Sequence, residues 1–178
     1  MYNPEEDSIM LAKAVQRYAR GKVLDLGTGS GIQALAAAKN KKTSSIVAVD
    51  IDKEAIKACK KDIKNRKITF RHSNLFSNIK GRFDTIIFNP PYLPEEKEIK
   101  IKDKEIYGGR EGCELIVKFL KQVKKYLNKE GTILLVFSSF TNKKKIDNII
   151  YDSGFSFKEL EKRHIFFEDI YVYLISGR

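Results

Sequence analysis

The chain alternates between two hydrophobic rhythms. Val23-Leu24-Asp25-Leu26, Ser45-Ile46-Val47-Ala48-Val49-Asp50, Thr85-Ile86-Ile87-Phe88 and Thr132-Ile133-Leu134-Leu135-Val136-Phe137 are short, nearly unbroken apolar runs. Runs of that length predict strands covered on both faces, as in a parallel sheet. The third of them reaches back to Phe83, and Ile68-Thr69-Phe70 predicts another, short strand. Near the end, Ser156–His164 and Ile170–Ile175 read as a hairpin turning at Phe166-Phe167-Glu168-Asp169.

Between these runs the apolar positions fall three and four apart, which predicts helices. Ile9, Met10, Ala14, Val15 and Tyr18 form the stripe of an opening helix, with Asn3 as N-cap, Pro4 in the first turn and Gly21 beyond its end. Glu5, Glu6 and Asp7 lie at the positive end of its dipole, and helix-end electrostatics alone is the expectation for them. Further helices are predicted over Ile32–Ala38, Glu54–Lys64, Cys113–Leu127 and Lys143–Tyr151, with Gly131 closing the turn into the fifth strand. The charged stretch Leu93–Tyr107 fits neither rhythm, and a loop of that length is usually a lid or a binding loop.

Strands alternating with helices and closed by a hairpin predict an α/β fold: a Rossmann-like doubly wound sheet, mostly parallel, with an antiparallel C-terminal hairpin strand near one edge. With 178 residues the chain is expected to be one domain, residues 1–178, opening with a helix inside residues 1–20. Ligands of such sheets bind at the carboxyl ends of the strands, so candidate chemistry is sought there.

Phe88-Asn89-Pro90-Pro91-Tyr92 ends one strand. Neither proline can donate to a sheet ladder, and each restricts the residue before it to extended backbone. The Asn89 side-chain oxygen and the Pro90 carbonyl therefore make a stiff pair of acceptors, suited to a planar NH2 group such as a carboxamide or the exocyclic amine of a base. Tyr92 can stack on such a group. Gly27-Thr28-Gly29-Ser30-Gly31 follows the first strand and opens a helix, a turn where a ligand meets bare backbone. Its G-x-G-x-G spacing differs from the usual dinucleotide pattern, and Asp25 just before it would repel a pyrophosphate but can hold an ammonium group. Asp50 at the end of the second strand can accept from both hydroxyls of a ribose, whereas Asp52 fits better as the N-cap of the following helix. Ser73-Asn74-Leu75-Phe76 lies where an adenine would then sit.

Charge adds one thing to this picture. Lys and Arg number 34 against 23 acidic residues, a formal net charge of +11. That excess favours a polyanionic neighbour such as RNA or the ribosome, although the lysines are spread along the helices rather than clustered. Cys59 and Cys113 are the two cysteines; they lack metal-ligand spacing and read as buried free thiols of a reducing, cytoplasmic setting. No apolar run is long enough to cross a membrane, and the opening residues lack the apolar core of a signal peptide. His72 and His164 read as ordinary strand residues.

Leu24 to Gly31, Val49-Asp50, Asn74-Leu75-Phe76 and Asn89-Pro90-Pro91-Tyr92 together resemble the class I S-adenosylmethionine-dependent methyltransferases, and more narrowly the HemK-like protein glutamine N5-methyltransferases. Tyr2-Asn3-Pro4-Glu5-Glu6-Asp7-Ser8 resembles the opening of the archaeal and eukaryotic branch, and Tyr107-Gly108-Gly109-Arg110-Glu111-Gly112 resembles that family's later glycine turn. The resemblance implies the class I methyltransferase fold, S-adenosyl-L-methionine as cofactor and S-adenosyl-L-homocysteine as product. It puts Gly27, Thr28, Gly29 and Gly31 along the cofactor, Asp25 near its methionine end, Asp50 and Ile51 at the ribose, and Asn74 and Leu75 beside the adenine. Asn74 stands where an aspartate is frequent in that family. Asn89 borders both cofactor and substrate; Asn89, Pro90 and Tyr92 take the catalytic roles, with Pro91 in the substrate site, and no metal is implied.

As partners the resemblance implies a peptide-chain release factor, methylated at the glutamine of its Gly-Gly-Gln loop, and a small zinc-binding activator protein. The activator is expected on an exposed apolar strand edge around Ile68 and Phe70. An RNA or DNA methyltransferase acting on adenine N6 or guanine N2 is the alternative, since those amines suit the same acceptor pair. A cofactor-binding scaffold that has lost catalysis is a third reading, against which the intact Asn89–Tyr92 motif counts.

Overall fold

The computed structural model describes residues 6–92, 111–165 and 167–178. Expectations placed on residues 1–5, residues 93–110 and Phe166 lie outside the described residues. The elements run α1 (Glu6–Tyr18), β1 (Gly21–Leu26), α2 (Ile32–Lys39), β2 (Thr43–Asp50), α3 (Lys53–Asp62), β3 (Ile68–His72), β4 (Phe83–Phe88), α4 (Glu114–Val123), β5 (Leu127–Ser138), a 3-10 turn (Ser139–Thr141), α5 (Lys143–Asp152), β6 (Phe155–Ile165) and β7 (Glu168–Gly177).

All the described strands join one seven-stranded sheet in the order β3-β2-β1-β4-β5-β7-β6. β3, β2, β1, β4 and β5 are mutually parallel, and β7 pairs antiparallel with both β5 and β6. The chain reverses its direction of travel across the sheet between β1 and β4, which opens a crevice at their carboxyl ends.

Successive strand residues serve opposite faces. Ile86 and Phe88 pack with Ile116, Phe119 and Ile146 of α4 and α5, whereas Ile87 between them packs with Met10, Val15, Ala34 and Ile56 of α1, α2 and α3. The near-continuous apolar runs follow from this: a strand sandwiched by helices on both sides has no solvent face.

Two local expectations are corrected. The helix predicted over Cys113–Leu127 stops at Val123, and Leu127 already opens β5. Leu127 pairs with Phe83, whose N–H donates to the Tyr126 carbonyl at 2.8 Å. Sheet pairing thus captures a residue whose spacing suits the helix stripe, and Gly131 falls inside the strand instead of before it. The expected apolar edge near Ile68 and Phe70 is also altered. β3 is an edge strand, but Phe70 is buried in the core and Ile68 half-buried, while Thr69, Arg71 and His72 are exposed. The edge offers backbone groups rather than an apolar face.

Candidate active site

Every described candidate residue lies at the carboxyl rim. The glycine loop leaves β1 in a tight turn: the Gly31 N–H donates to the Thr28 carbonyl at 2.8 Å, and the Thr28 N–H ties the loop to Val49 of β2 at 2.9 Å. Gly27, Gly29 and Gly31 all have positive φ, at 66°, 51° and 81°, where side chains are strained. Their surroundings differ. A Cβ on Gly29 would meet nothing within 4 Å, whereas one on Gly31 would lie 2.5 Å from Ile63 Cδ1. Gly31 therefore lets the Ile63 and Cys59 side chains close against the loop, and Gly29 leaves open space above it.

Asp25 is 1% exposed at the end of β1. Its Oδ2 accepts the Thr28 hydroxyl at 2.6 Å, and its Oδ1 is enclosed with no hydrogen-bond partner among the described residues. Burial, opposed by the Thr28 hydroxyl, reinforced by the nearby Asp50 carboxylate and opposed least by the Ala34 N–H, pushes its pKa up to about 7. A buried carboxylate with an unsatisfied oxygen is costly unless a cation reaches it. An ammonium group beside Oδ1 would supply the missing partner.

Asp50 ends β2. Its Oδ2 accepts from the Gly29 N–H at 2.8 Å and its Oδ1 from the Asp52 N–H at 2.9 Å. A carboxylate has further lone pairs, so these bonds orient it and leave capacity for two ribose hydroxyls. Asp52 caps α3 by accepting the Glu54 N–H at 2.8 Å, as its position suggests. Ile51 is 62% exposed between them.

The loop after β3 is held by Ser73, whose N–H donates to the Asp50 carbonyl at 2.8 Å and whose hydroxyl donates to the Leu75 carbonyl at 2.8 Å. Phe76 anchors it from below, stacked on Tyr126 with ring centroids 4.3 Å apart. Leu75 adopts φ 47°, unusual for a residue with a side chain, and Asn74 beside it is exposed.

The Asn89 turn adjoins the glycine loop: a Cβ on Gly27 would lie 3.9 Å from the Asn89 carbonyl oxygen. Asn89 is half-buried, and its Nδ2 donates to the Ser8 hydroxyl at 2.9 Å. That bond uses one of the two amide hydrogens, and in this orientation Oδ1 is an acceptor. The Tyr92 hydroxyl donates to Asp7 Oδ2 at 3.1 Å. Pro90 is buried and Pro91 half-buried between them.

Asp7 and Ser8 contact the Asn89 turn, which local rules missed. Asp7 stands in the first turn of α1 but is only 4% exposed and accepts from Tyr92, so helix-end electrostatics alone does not account for it; Ser8 beside it is 1% exposed. Gln33 was missed too; its Nε2 donates to the Ser8 carbonyl at 3.0 Å. The readable hint was a lone amide in the apolar run Ile32-Gln33-Ala34-Leu35-Ala36.

A rim that combines an open glycine loop, a buried acid without a cation, a second acid at the end of β2 and a turn that presents acceptors fits a methyl donor of the amino acid–nucleoside type. A family model described as methyltransferase small domain matches residues 4–163. The chain belongs to that family. A protein of Methanocaldococcus jannaschii named as a protein N5-glutamine methyltransferase is 37% identical over 97% of this chain and 89% of its own length. A release factor glutamine methyltransferase of Buchnera aphidicola is 34% identical over 85% of this chain. The alignment spans 60% of that bacterial relative, so the methyltransferase described here matches only part of it. Among solved structures, Mtq2 of E. cuniculi, in complex with Trm112 and responsible for methylating the termination factor eRF1, superposes with a TM-score of 0.78 at 25% identity, covering 99% of this chain and 98% of that one. The methyltransferase is thus an S-adenosylmethionine-dependent enzyme of the protein glutamine N5-methyltransferase group. Among the described residues no helix is long and apolar enough to cross a membrane.

Proposed function

We propose that this enzyme methylates the side-chain amide nitrogen of a protein glutamine, at the Gly-Gly-Gln loop of a peptide-chain release factor in the cytoplasm. The observation that carries the reading is the contact between the two halves of the rim: the acceptor turn at Asn89 lies against the glycine loop at Gly27, so donor and acceptor meet at one place.

S-adenosyl-L-methionine, when bound, supplies a methyl group on a sulfonium, so the C–S electron pair departs with a neutral sulfide and leaves S-adenosyl-L-homocysteine. Asp25 holds the ammonium end through its otherwise unpaired oxygen, and Asp50 takes the ribose hydroxyls, with Ile51, Asn74 and Leu75 bordering the nucleoside. Asn89 Oδ1 and the Pro90 carbonyl accept the two hydrogens of the substrate amide. Holding both hydrogens turns the nitrogen lone pair out of conjugation and towards the methyl carbon, and Tyr92 supports the flat group from one side. The new N–C bond forms as the C–S bond breaks, and the surplus amide proton passes to water. Positioning supplies the catalysis, so no strong base is needed before attack.

The Trm112 complex of the E. cuniculi neighbour, together with the backbone edge of β3, supports a small activator pairing with this chain; that the activator binds zinc is part of the proposal. The net charge of +11 suits work beside the ribosome. The test is transfer of labelled methyl from S-adenosyl-L-methionine to purified release factor, rRNA or DNA, by the wild type and Asn89→Ala. Label on the Gly-Gly-Gln glutamine, lost in Asn89→Ala with S-adenosyl-L-homocysteine affinity kept, is expected. Label on a nucleobase overturns the acceptor, and near-normal turnover by Asn89→Ala overturns the role of the turn.

A further inference from the structure

The sheet does not end level at its carboxyl rim. β4 stops at Phe88, the partner of Leu135, but β5 continues through Val136, Phe137 and Ser138, paired there with Val172, Tyr171 and Ile170 of β7. Three strand residues amount to about 10 Å, so β5, β7 and β6 rise as a wall beside the Asn89 turn. The crest of the wall consists of two turns, Ser139–Thr141 after β5 and the β6–β7 turn at Phe167. Each carries a bare ring: Phe140 is 47% exposed and Phe167 is 92% exposed. The two turns are tied together. The Ser139 hydroxyl accepts the Asp169 N–H at 3.0 Å, and the Ser138 hydroxyl donates to Glu168. The Phe140 N–H donates to the Ser138 hydroxyl at 3.1 Å, and the Thr141 hydroxyl to the Ser138 carbonyl at 2.7 Å. The cations near the crest have carboxylate partners. Lys162 pairs with Asp169 at 2.9 Å and Arg163 with Glu161 at 2.7 Å, while His164 lies 3.0 Å from the same Asp169. A polyanion is held by cations that give up only counterions, whereas exposed rings on a rigid support with cancelled charge suit the surface of a protein.

We infer that Phe140 and Phe167 are docking anchors for the protein that carries the methylated glutamine, gripping its surface beside the glutamine loop. The inference rests on the function proposed above. A glutamine side chain reaches only about 5 Å from its own backbone. With its amide at Asn89, the backbone of the carrier protein therefore lies below the top of the wall. The glycine loop and Asp50 stand on the β1–β2 side of the Asn89 turn, so the donor fills that side and the bulk of the carrier is turned towards β5. There the crest is what it meets. Anchors this far from the reacting atoms hold the carrier equally well before and during methyl transfer, so they act on affinity and KM and leave kcat alone.

The experiment measures binding of purified release factor to the protein loaded with S-adenosyl-L-homocysteine, and methyl transfer to the same release factor. Phe140→Ala and Phe167→Ala are each expected to weaken binding and raise KM by about 10-fold, as loss of a buried ring at an interface does. The kcat and the S-adenosyl-L-homocysteine affinity stay within about twofold of wild type. Phe140→Leu, which keeps an apolar side chain, retains most of the affinity. Tyr151→Ala serves as the control: its ring is 65% exposed but stands at the far end of α5, and its loss leaves release-factor binding unchanged. Phe167→Lys weakens release-factor binding at least as much as Phe167→Ala, whereas a nucleic-acid surface would hold rRNA more tightly on receiving a cation. Release-factor affinity within twofold of wild type in both alanine variants, while Asn89→Ala is inactive, overturns the anchors and leaves the proposed function standing. Tighter rRNA binding by Phe167→Lys with release-factor affinity unaffected overturns them as well. A wild type that neither binds nor methylates release factor sinks the proposed function and the anchors with it.

Discussion

Replacing Asp25 by Asn separates what the buried acid costs the fold from what it gives the site. Its pKa stands at about 7 in the folded chain against an ordinary value of 3.8. Each unit of difference is worth about 1.4 kcal/mol, so at pH values above 7 keeping Asp25 ionised costs the folded chain about 4 kcal/mol relative to an unperturbed acid. The sign follows from proton binding. Between about pH 4 and about pH 7 the folded state holds a proton that the unfolded state has released, so wild-type stability falls as pH rises across that window and then levels off. The amide of Asp25→Asn has no such titration. Its NH2 can donate to the Thr28 hydroxyl, which now only has to rotate, and one buried acceptor stays unpaired as before.

Urea unfolding of the cofactor-free protein therefore shows Asp25→Asn more stable than wild type by about 2–4 kcal/mol near pH 8, with the gap smaller by about 3 kcal/mol near pH 5. Binding reverses the order. S-adenosyl-L-homocysteine stabilises the wild type and has little effect on Asp25→Asn, and its affinity for wild type weakens by about tenfold per pH unit below 7, where the carboxylate takes up its proton. A stability difference that is the same at both pH values would refute the reasoning, since it would mean that Asp25 does not titrate in the folded chain near neutrality.

Three further outcomes follow from the geometry. Gly31→Ala combines a φ of 81° with a Cβ 2.5 Å from Ile63 Cδ1, a side-chain tip that has to swing aside, and is expected to cost about 2–3 kcal/mol, read as a lowered midpoint in thermal unfolding. Gly29→Ala, with φ 51° and nothing within 4 Å of the added carbon, is expected to cost only about 1–2 kcal/mol and to weaken S-adenosyl-L-homocysteine binding instead; equal stability losses in the two variants would contradict the distinction drawn between them. At the opposite end of the sheet, Asp84 accepts from the Lys22 N–H at 2.7 Å and Asn128 Nδ2 at 2.7 Å, so Asp84→Ala strands two donors and costs about 1–3 kcal/mol in urea unfolding. The Lys22 N–H holds the Asp84 carboxyl below the usual carboxylate range, so its contribution is present above the ordinary carboxylate pKa and is lost as pH falls through the depressed one; a difference that persists undiminished in acid would count against the bond.

How far the sequence could be read depends on how far apart the interacting residues lie. β4 was legible at both ends, because Phe83-Asp84-Thr85-Ile86-Ile87-Phe88 is apolar enough for a doubly covered strand and Pro90-Pro91 stop it within a residue. The Asp25–Gly31 turn was equally legible, since the strand end, the glycines and the helix start that create it are neighbours in the chain. The α4–β5 junction was not. Leu127 sits four residues after Val123, where helical spacing predicts continuation, and only its pairing with Phe83 draws it into the sheet. Asp7 failed for the same reason on a larger scale: from the sequence it is one more acid at a helix start, and its partner Tyr92 is 85 residues away. Ser8 and Asn89 are 81 residues apart. Local rules assign a polar residue at a helix end to solvent or to the dipole, so they misread it when the helix is laid across a sheet and its first turn meets a strand terminus from the other end of the crossover. The errors at this rim therefore concentrate on residues that connect two segments distant in the chain.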